Sequence, residues 1–229
     1  CVCNSREAIG DDVSSDSSRF VSPEDVVVVT GCKVVMFCVI LALAQACDEV
    51  MYTNPGFPIY ESMINVAGAK GVPRKLREEM DFRFDVKELA SLITDRTRLI
   101  ILNSPHNPTG GVLTGQDIQE IAKVIGNRDV MILSDEIYGQ LTYDGLAHQT
   151  LLAYPEIRDR LILLDGWSKT YAMTGWRLGY SVWPKPWRAV ARHLAVHSYS
   201  CLNSSAPFAG IAALKAPHDS DSSMRAAFI

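Results

Sequence analysis

Asp165-Gly166-Trp167-Ser168-Lys169-Thr170-Tyr171-Ala172-Met173-Thr174-Gly175-Trp176-Arg177-Leu178-Gly179-Tyr180 follows directly on the apolar run Arg160-Leu161-Ile162-Leu163-Leu164. A lysine therefore emerges just beyond a buried strand, and eight residues later an arginine enters a second strand-like segment. Two other stretches share this grammar. They are Leu99-Ile100-Ile101-Leu102-Asn103-Ser104-Pro105-His106-Asn107-Pro108-Thr109-Gly110-Gly111 and Val130-Met131-Ile132-Leu133-Ser134-Asp135-Glu136-Ile137-Tyr138. Each is a short apolar run with polar groups where the strand ends. Ligands of open parallel sheets bind outside the carboxyl ends of the strands, where Asn107, Asp135, Tyr138 and Lys169 fall.

Working outward, Glu24-Asp25-Val26-Val27-Val28-Val29-Thr30 is a β-branched strand, and Gly31-Cys32-Lys33 turns into an apolar helix over residues 34–46. Asp48-Glu49-Val50-Met51-Tyr52 is the next strand and ends at Asn54-Pro55-Gly56-Phe57-Pro58. A helix follows from about Ile59, with Met63, Val66 and Ala67 on one face. Asp85 caps a further helix, with Glu88 at the third position and Val86, Leu89, Ala90 and Ile93 as its buried stripe. Thr114 and Asp117 start another, carrying Ile118, Ile121, Val124 and Ile125. This alternation predicts an α/β fold, a three-layer α/β/α sandwich around a mostly parallel sheet. Residues 1–21, with the patch Asp11-Asp12-Val13-Ser14-Ser15-Asp16-Ser17-Ser18, read as a weakly ordered N-terminal arm or the remnant of a helix around residues 6–9. Residues 22–216 form one large domain, and 217–229 a connection into a final helix.

Composition narrows the class. The 229 residues are 48% hydrophobic with a net charge of −4, and no basic block or acidic tail suggests nucleic acid or a charged partner. The apolar run at 34–46 is too short to span a bilayer and reads as a buried helix, and the first residues lack a signal-peptide pattern. The six cysteines are Cys1, Cys3, Cys32, Cys38, Cys47 and Cys201, mostly inside apolar segments and without matching His or Cys pairs. Reduced thiols in a cytoplasmic protein, and no metal, are expected. An unrelated nucleotide-binding α/β domain lacks support, because no Gly-rich phosphate fingerprint is present.

A lysine amine can form a Schiff base with an aldehyde, and an arginine grips phosphate with paired hydrogen bonds. In order and spacing, the three strand-end segments resemble the class I aminotransferases, fold-type I enzymes that use pyridoxal 5'-phosphate (PLP), and in particular their aspartate aminotransferase-like branch. The likeness covers roughly residues 22–216, most of the cofactor-binding large domain. It implies amino-group transfer between an amino acid, aspartate-like or broad, and a 2-oxo acid, carried out by a homodimer whose sites lie close to the subunit boundary. Lys169 would be the Schiff-base lysine and the carrier of the substrate α-proton. Asp135 would pair with the protonated pyridine nitrogen; an aspartate in Ser134-Asp135-Glu136 could equally cap a helix starting at Glu136. Asn107 and Tyr138 would donate to the phenolic oxygen of the ring. Arg177 would hold the phosphate, together with the N–H groups of Gly31, Cys32 and Lys33 at a helix start. Phe57 would stack on the ring, with Tyr60 as the competing aromatic.

Two positions depart from the family pattern. Gly166 stands where many relatives carry a phosphate-contacting serine, with Ser168 or Thr30 as possible substitutes. Cys47 stands where relatives usually have glycine. The family's N-terminal segment, the tyrosine that reaches a partner's phosphate and the C-terminal small domain with its carboxylate-binding arginine have no match here. The chain accordingly reads as a fragment, with 217–229 starting the connection to that small domain. Two rival functions stand beside transamination: a PLP-dependent lyase on the same fold, and a non-catalytic PLP-binding domain.

Overall fold

The computed structural model describes residues 2–126, 128–217 and 219–227; Cys1 and Ile229 lie outside the described residues. The strands are β1 (Val26–Val29), β2 (Glu49–Asn54), β3 (Lys70–Lys75), β4 (Thr97–Asn103), β5 (Met131–Asp135), β6 (Leu161–Gly166) and β7 (Gly179–Val182). The helices are α1 (Val2–Ser17), α2 (Lys33–Leu43), α3 (Ile59–Val66), α4 (Val86–Leu92), α5 (Gly115–Ile125), α6 (Trp167–Thr170), α7 (Arg188–Ser198), α8 (Ser205–Lys215) and α9 (Asp219–Ala226). Among the described residues the strands form one seven-stranded sheet in the order β1-β7-β6-β5-β4-β2-β3. Strand β7 is antiparallel to both neighbours, and the remaining pairs are parallel.

The uninterrupted apolar runs have a direct cause. Side chains alternate between the faces of a strand, and both faces of this sheet are covered. Leu99 and Ile101 of β4 join the core under α2, α3 and α7, whereas Ile100 and Leu102 join the core under α1, α4 and α5. In β6, Ile162 and Leu164 face the first layer and Leu161 and Leu163 the second. Each such side chain, fully buried, contributes about 1.5–3 kcal/mol against exposure. The expected three-layer α/β/α sandwich is therefore what the chain forms.

Several local expectations need correction. Of the two readings of the N-terminal segment, the helix is the one formed and it is longer than residues 6–9: α1 runs from Val2 to Ser17 and buries Ile9 and Val13 in the core, so residues 2–17 are not a weakly ordered arm. Only that i, i+4 pair marks the helix in a Ser/Asp-rich stretch. Ser14 and Ser17 turn their hydroxyls back onto the carbonyls of Gly10 and Val13, one turn earlier, and so hide their polarity within the helix. Helix α2 is not wholly buried: Phe37 is 42% and Leu41 41% exposed, on the side away from the sheet. The buried face of α3 is Tyr60, Met63 and Ile64, with Val66 exposed. Asp85 caps α4 by accepting from the Lys87 N–H, but Glu88 bonds Arg77 instead of closing a capping box. The capping box is complete at Thr114 and Asp117. Arg177 does not enter a strand; it ends a tight turn two residues before β7, with φ +53°.

Cys3, Cys32, Cys38, Cys47 and Cys201 carry free thiols, and Cys3, Cys47 and Cys201 are exposed rather than set in apolar surroundings. Cys47 explains the glycine of the family pattern. It has φ +78°, a left-handed conformation in which a side chain costs roughly 1–2 kcal/mol. Cys47→Gly is expected to raise the unfolding free energy by about 1 kcal/mol, after allowance for the greater freedom of glycine in the unfolded chain. Urea denaturation of the two proteins measures it, and an unchanged or lowered midpoint would contradict the strain argument.

Candidate cofactor site

Asp135 ends β5 between Asn103 of β4 and Leu164 of β6 and is 2% exposed. No helix begins at Glu136, where the chain goes into turns, so capping is not the role of this aspartate. Its Oδ2 accepts a hydrogen bond from the Tyr60 hydroxyl at 2.5 Å, and its Oδ1 a longer one from the Ile137 N–H at 3.4 Å. Burial outweighs both bonds and pushes the carboxyl up to about 6. The neighbouring Glu136 fixes the turn that carries Tyr138. It accepts from the Ser134 hydroxyl and the Leu151 N–H, and pairs with His148 Nε2 at 2.7 Å.

Asn107 is held from behind. Its N–H donates to Asn103 Oδ1 at 2.8 Å, and Asn103 Nδ2 in turn donates to the Asp135 carbonyl at 2.9 Å. The His106 ring bridges Thr53 and Thr109 at 3.0 and 2.8 Å, and burial pushes it down to about 4, so it is neutral at ordinary pH. Asn103 was missed in the sequence because it reads simply as the polar end of an apolar run. The signal was its place, directly beside Asp135 in parallel register.

Lys169 lies in the single-turn helix α6 directly after β6, with Nζ 5.4 Å from the centre of the Tyr138 ring. The Trp167 indole N–H, bonded to the Gly210 carbonyl at 3.0 Å, ties that turn to α8. Arg177 donates from Nη1 to the Thr174 carbonyl and lays its guanidinium over Gly31. The backbone at Gly31 has φ +87°, a conformation that favours glycine, and a Cβ there would come within 2.1 Å of Nη2 and push the end of the arginine side chain aside. Gly31 thus lies beneath the arginine at the start of α2; its own N–H donates to the Val29 carbonyl at 2.9 Å, and those of Val34 and Val35 donate to the carbonyls of Gly31 and Cys32, which leaves the N–H groups of Cys32 and Lys33 for a ligand.

Cys32, Lys33, Phe57, Asn107, Asp135, Tyr138, Lys169 and Arg177 line one cleft of about 390 Å³, at the carboxyl ends of β4, β5 and β6. Phe57 forms part of its wall, with Lys33 Nζ 5.5 Å from the ring centre. Tyr60, the competing aromatic, is 1% exposed and lies behind the wall. Ser168 lines the cleft and Thr30 is not part of the lining. An amine, a buried carboxylate, two neutral side-chain donors, an aromatic face and a guanidinium over helix N–H groups therefore converge on a space for one small aromatic anion.

Gly166 is explained by packing. A Cβ there would stand 2.7 Å from the Gly179 Cα and 3.0 Å from Cys32 Sγ. The buried Cys32 thiol occupies this notch and donates to the Asp165 carbonyl at 3.2 Å. Gly166→Ser is expected to destabilise by about 1–3 kcal/mol through overpacking. Adding Cys32→Ala should recover only part of the loss, because the backbone of Gly179 stays in place. Thermal melts of the three proteins measure this, and a neutral Gly166→Ser would remove the packing explanation.

Comparison with known proteins gives the family and the fold. The family model for aminotransferase class I and II matches residues 7–228. An aspartate aminotransferase of Geobacillus stearothermophilus is 34% identical over 224 residues, covering 97% of this chain and 57% of the relative. An arginine–pyruvate transaminase of Pseudomonas aeruginosa is 36% identical over 226 residues, covering 97% and 56%. The structure of an aromatic aminotransferase from Pyrococcus horikoshii superposes with a TM-score of 0.93 at 32% identity, covering 98% of this chain and 61% of that one. The chain spans a little over half the length of the curated relatives it matches. With the family model running through nearly all of the sequence and the backbone superposing on a solved member, this chain belongs to the class I and II aminotransferases.

Proposed function

We propose that this chain is the PLP-binding large domain of an enzyme that transfers an amino group between an amino acid and a 2-oxo acid. The observation that carries this reading is that Lys169 and Asp135, delivered by different strands, line the same cleft. The fit to the cofactor is supported by Asp135 itself. It is a buried carboxylate whose hydrogen-bond partners, the Tyr60 hydroxyl and the Ile137 N–H, are neutral. A protonated ring nitrogen would supply the missing countercharge.

When bound, PLP supplies an electrophilic carbonyl carbon and an electron-withdrawing ring. Lys169 Nζ holds the cofactor and then carries the proton at the substrate α-carbon. Asp135 keeps the ring nitrogen protonated, and Asn107 with the Tyr138 hydroxyl orients the phenolic oxygen. Phe57 stacks on the ring. Arg177 and the N–H groups of Cys32 and Lys33 grip the phosphate, where the dipole of α2 favours an anion, while the Gly31 N–H, expected to join them, donates to the Val29 carbonyl instead. The names of the relatives support amino acids as donors, aspartate-like or broad. In the same reading, residues 22–216 are the large domain, 217–229 begin the connection to a small domain, and the enzyme is a cytoplasmic homodimer. No helix among the described residues is long and apolar enough to cross a membrane.

Two experiments test the reading. PLP added to the chain is expected to give a visible band that borohydride fixes covalently, and Lys169→Ala to lose that fixation; identical reducible adducts would exclude Lys169 as the anchoring amine. Production of keto acid only when an amino acceptor is present separates transamination from lyase chemistry. Asp135→Asn supplies a pH test of the protein without cofactor. The folded carboxyl lies at about 6 against an ordinary 3.8, a difference of roughly 3 kcal/mol. Because the folded value is raised, the folded state is favoured while the group stays protonated, and stability falls as pH rises from about 4 through 6. Asp135→Asn should therefore stabilise the apoprotein at pH 7–8 by up to roughly 3 kcal/mol, with no gain near pH 4, while weakening PLP binding. Denaturant titrations across pH read the first effect, and a pH-independent difference would contradict it.

A further inference from the structure

Tyr60 is the second residue of α3, and its i, i+3, i+4 face with Met63 and Ile64 is buried against the sheet. From there its hydroxyl reaches Asp135 Oδ2 at 2.5 Å, and its ring meets the Phe57 ring edge-on at 6.0 Å and 87°. One side chain behind the cleft thus touches both the carboxylate and the aromatic wall. The bond to Oδ2 leaves Oδ1, held only by the longer Ile137 N–H contact, as the oxygen available to a ligand.

Resting on the cofactor reading above, we propose that Tyr60 is a positioning residue with two separable actions: its hydroxyl keeps Asp135 anionic and turned towards the ring nitrogen, and its ring edge sets the tilt of Phe57. A hydroxyl donating to the charged form of an acid favours that form. Burial beside Asp135 pushes the Tyr60 phenol itself well above 10, so it remains a donor at every working pH. Glu136 beside it raises the Asp135 carboxyl further, the Cys32 thiol lies close enough to feel its charge, and Lys33, Tyr138, Lys169 and Arg177 are the other titratable groups that line the same cleft. Tyr60 makes the side-chain hydrogen bond that lowers the carboxyl.

Two variants divide the actions. Tyr60→Phe preserves the ring and deletes the hydroxyl. In the apoprotein its carboxyl at 135 should titrate higher, so the fall in stability with rising pH should continue beyond the wild-type range. This effect should vanish in an Asp135→Asn background, as a double-mutant cycle requires if Tyr60 acts through that carboxyl. With PLP, Tyr60→Phe should bind about tenfold more weakly at pH 6–7, the scale of one hydrogen bond to a charged group, and recover towards wild type near pH 9. Tyr60→Leu should add a further loss of affinity that does not depend on pH; should it fail to fold, Phe57→Leu reads the ring contribution instead.

A Tyr60→Phe stability profile that superposes on wild type, or shifts equally with and without Asp135, would overturn the carboxylate action. Equal PLP affinities for Tyr60→Phe and Tyr60→Leu at pH 9 would overturn the ring action, as wild-type affinity in Phe57→Leu would if that variant is used. Failure of the wild-type chain to bind PLP would instead overturn the cofactor reading, and the apoprotein cycle would still decide whether Tyr60 governs Asp135.

Discussion

A buried carboxylate held by neutral partners is the constraint around which this structure is arranged. Asp135 sits at the end of a central strand, walled in by the sheet on either side and by Tyr60 and Ile137 at its oxygens. Removing an acid from water costs free energy unless an opposite charge or sufficient hydrogen bonding returns it. The fold tolerates that cost because the surrounding strands are apolar on both faces and interlock on both sides of the sheet. A site that is unfavourable when empty and relieved by a cation is a familiar arrangement at functional centres, where local destabilisation is offset elsewhere.

The rest of the cleft is arranged by close packing more than by charge. Gly31 is bare so that the Arg177 guanidinium can lie across it, and Gly166 and Gly179 are bare so that the Cys32 thiol can fit between them. The start of α2 is thereby pressed against β6 and β7, with Cys32 and Lys33 in the same cleft lining as the arginine. The asparagine loop is tied down similarly, by Asn103 and by a neutral histidine between two threonines. Each group that would touch a ligand is thus backed by a second residue that fixes its direction, which is the usual condition for precise chemistry.

The strand-end residues were legible because a doubly covered parallel sheet forces a plain pattern: continuous apolar runs, then polar residues at the carboxyl ends, where ligands bind. Lys169, Asp135, Tyr138 and Asn107 all followed from it. Elements with weaker patterns were not legible. Strand β3, Lys70–Lys75, is a polar edge strand without alternation and gains its place by pairing in register with β2. Helix α1 was legible only as one of two readings, a short helical remnant beside a weakly ordered arm, and it gains its full length because the core offers Ile9 and Val13 a surface to cover.

By itself, the sequence determined the layered α/β architecture and the order of the strand-end groups, because hydrophobic periodicity depends only on near neighbours. Tertiary structure alone decided what Tyr60, Cys32, Gly166 and Asn103 do. Tyr60 is 75 residues from Asp135, and the Cys32 thiol meets a carbonyl 133 residues away. Contacts across such separations leave no periodic trace in the chain, and they exist only once the sheet has brought its strand ends together.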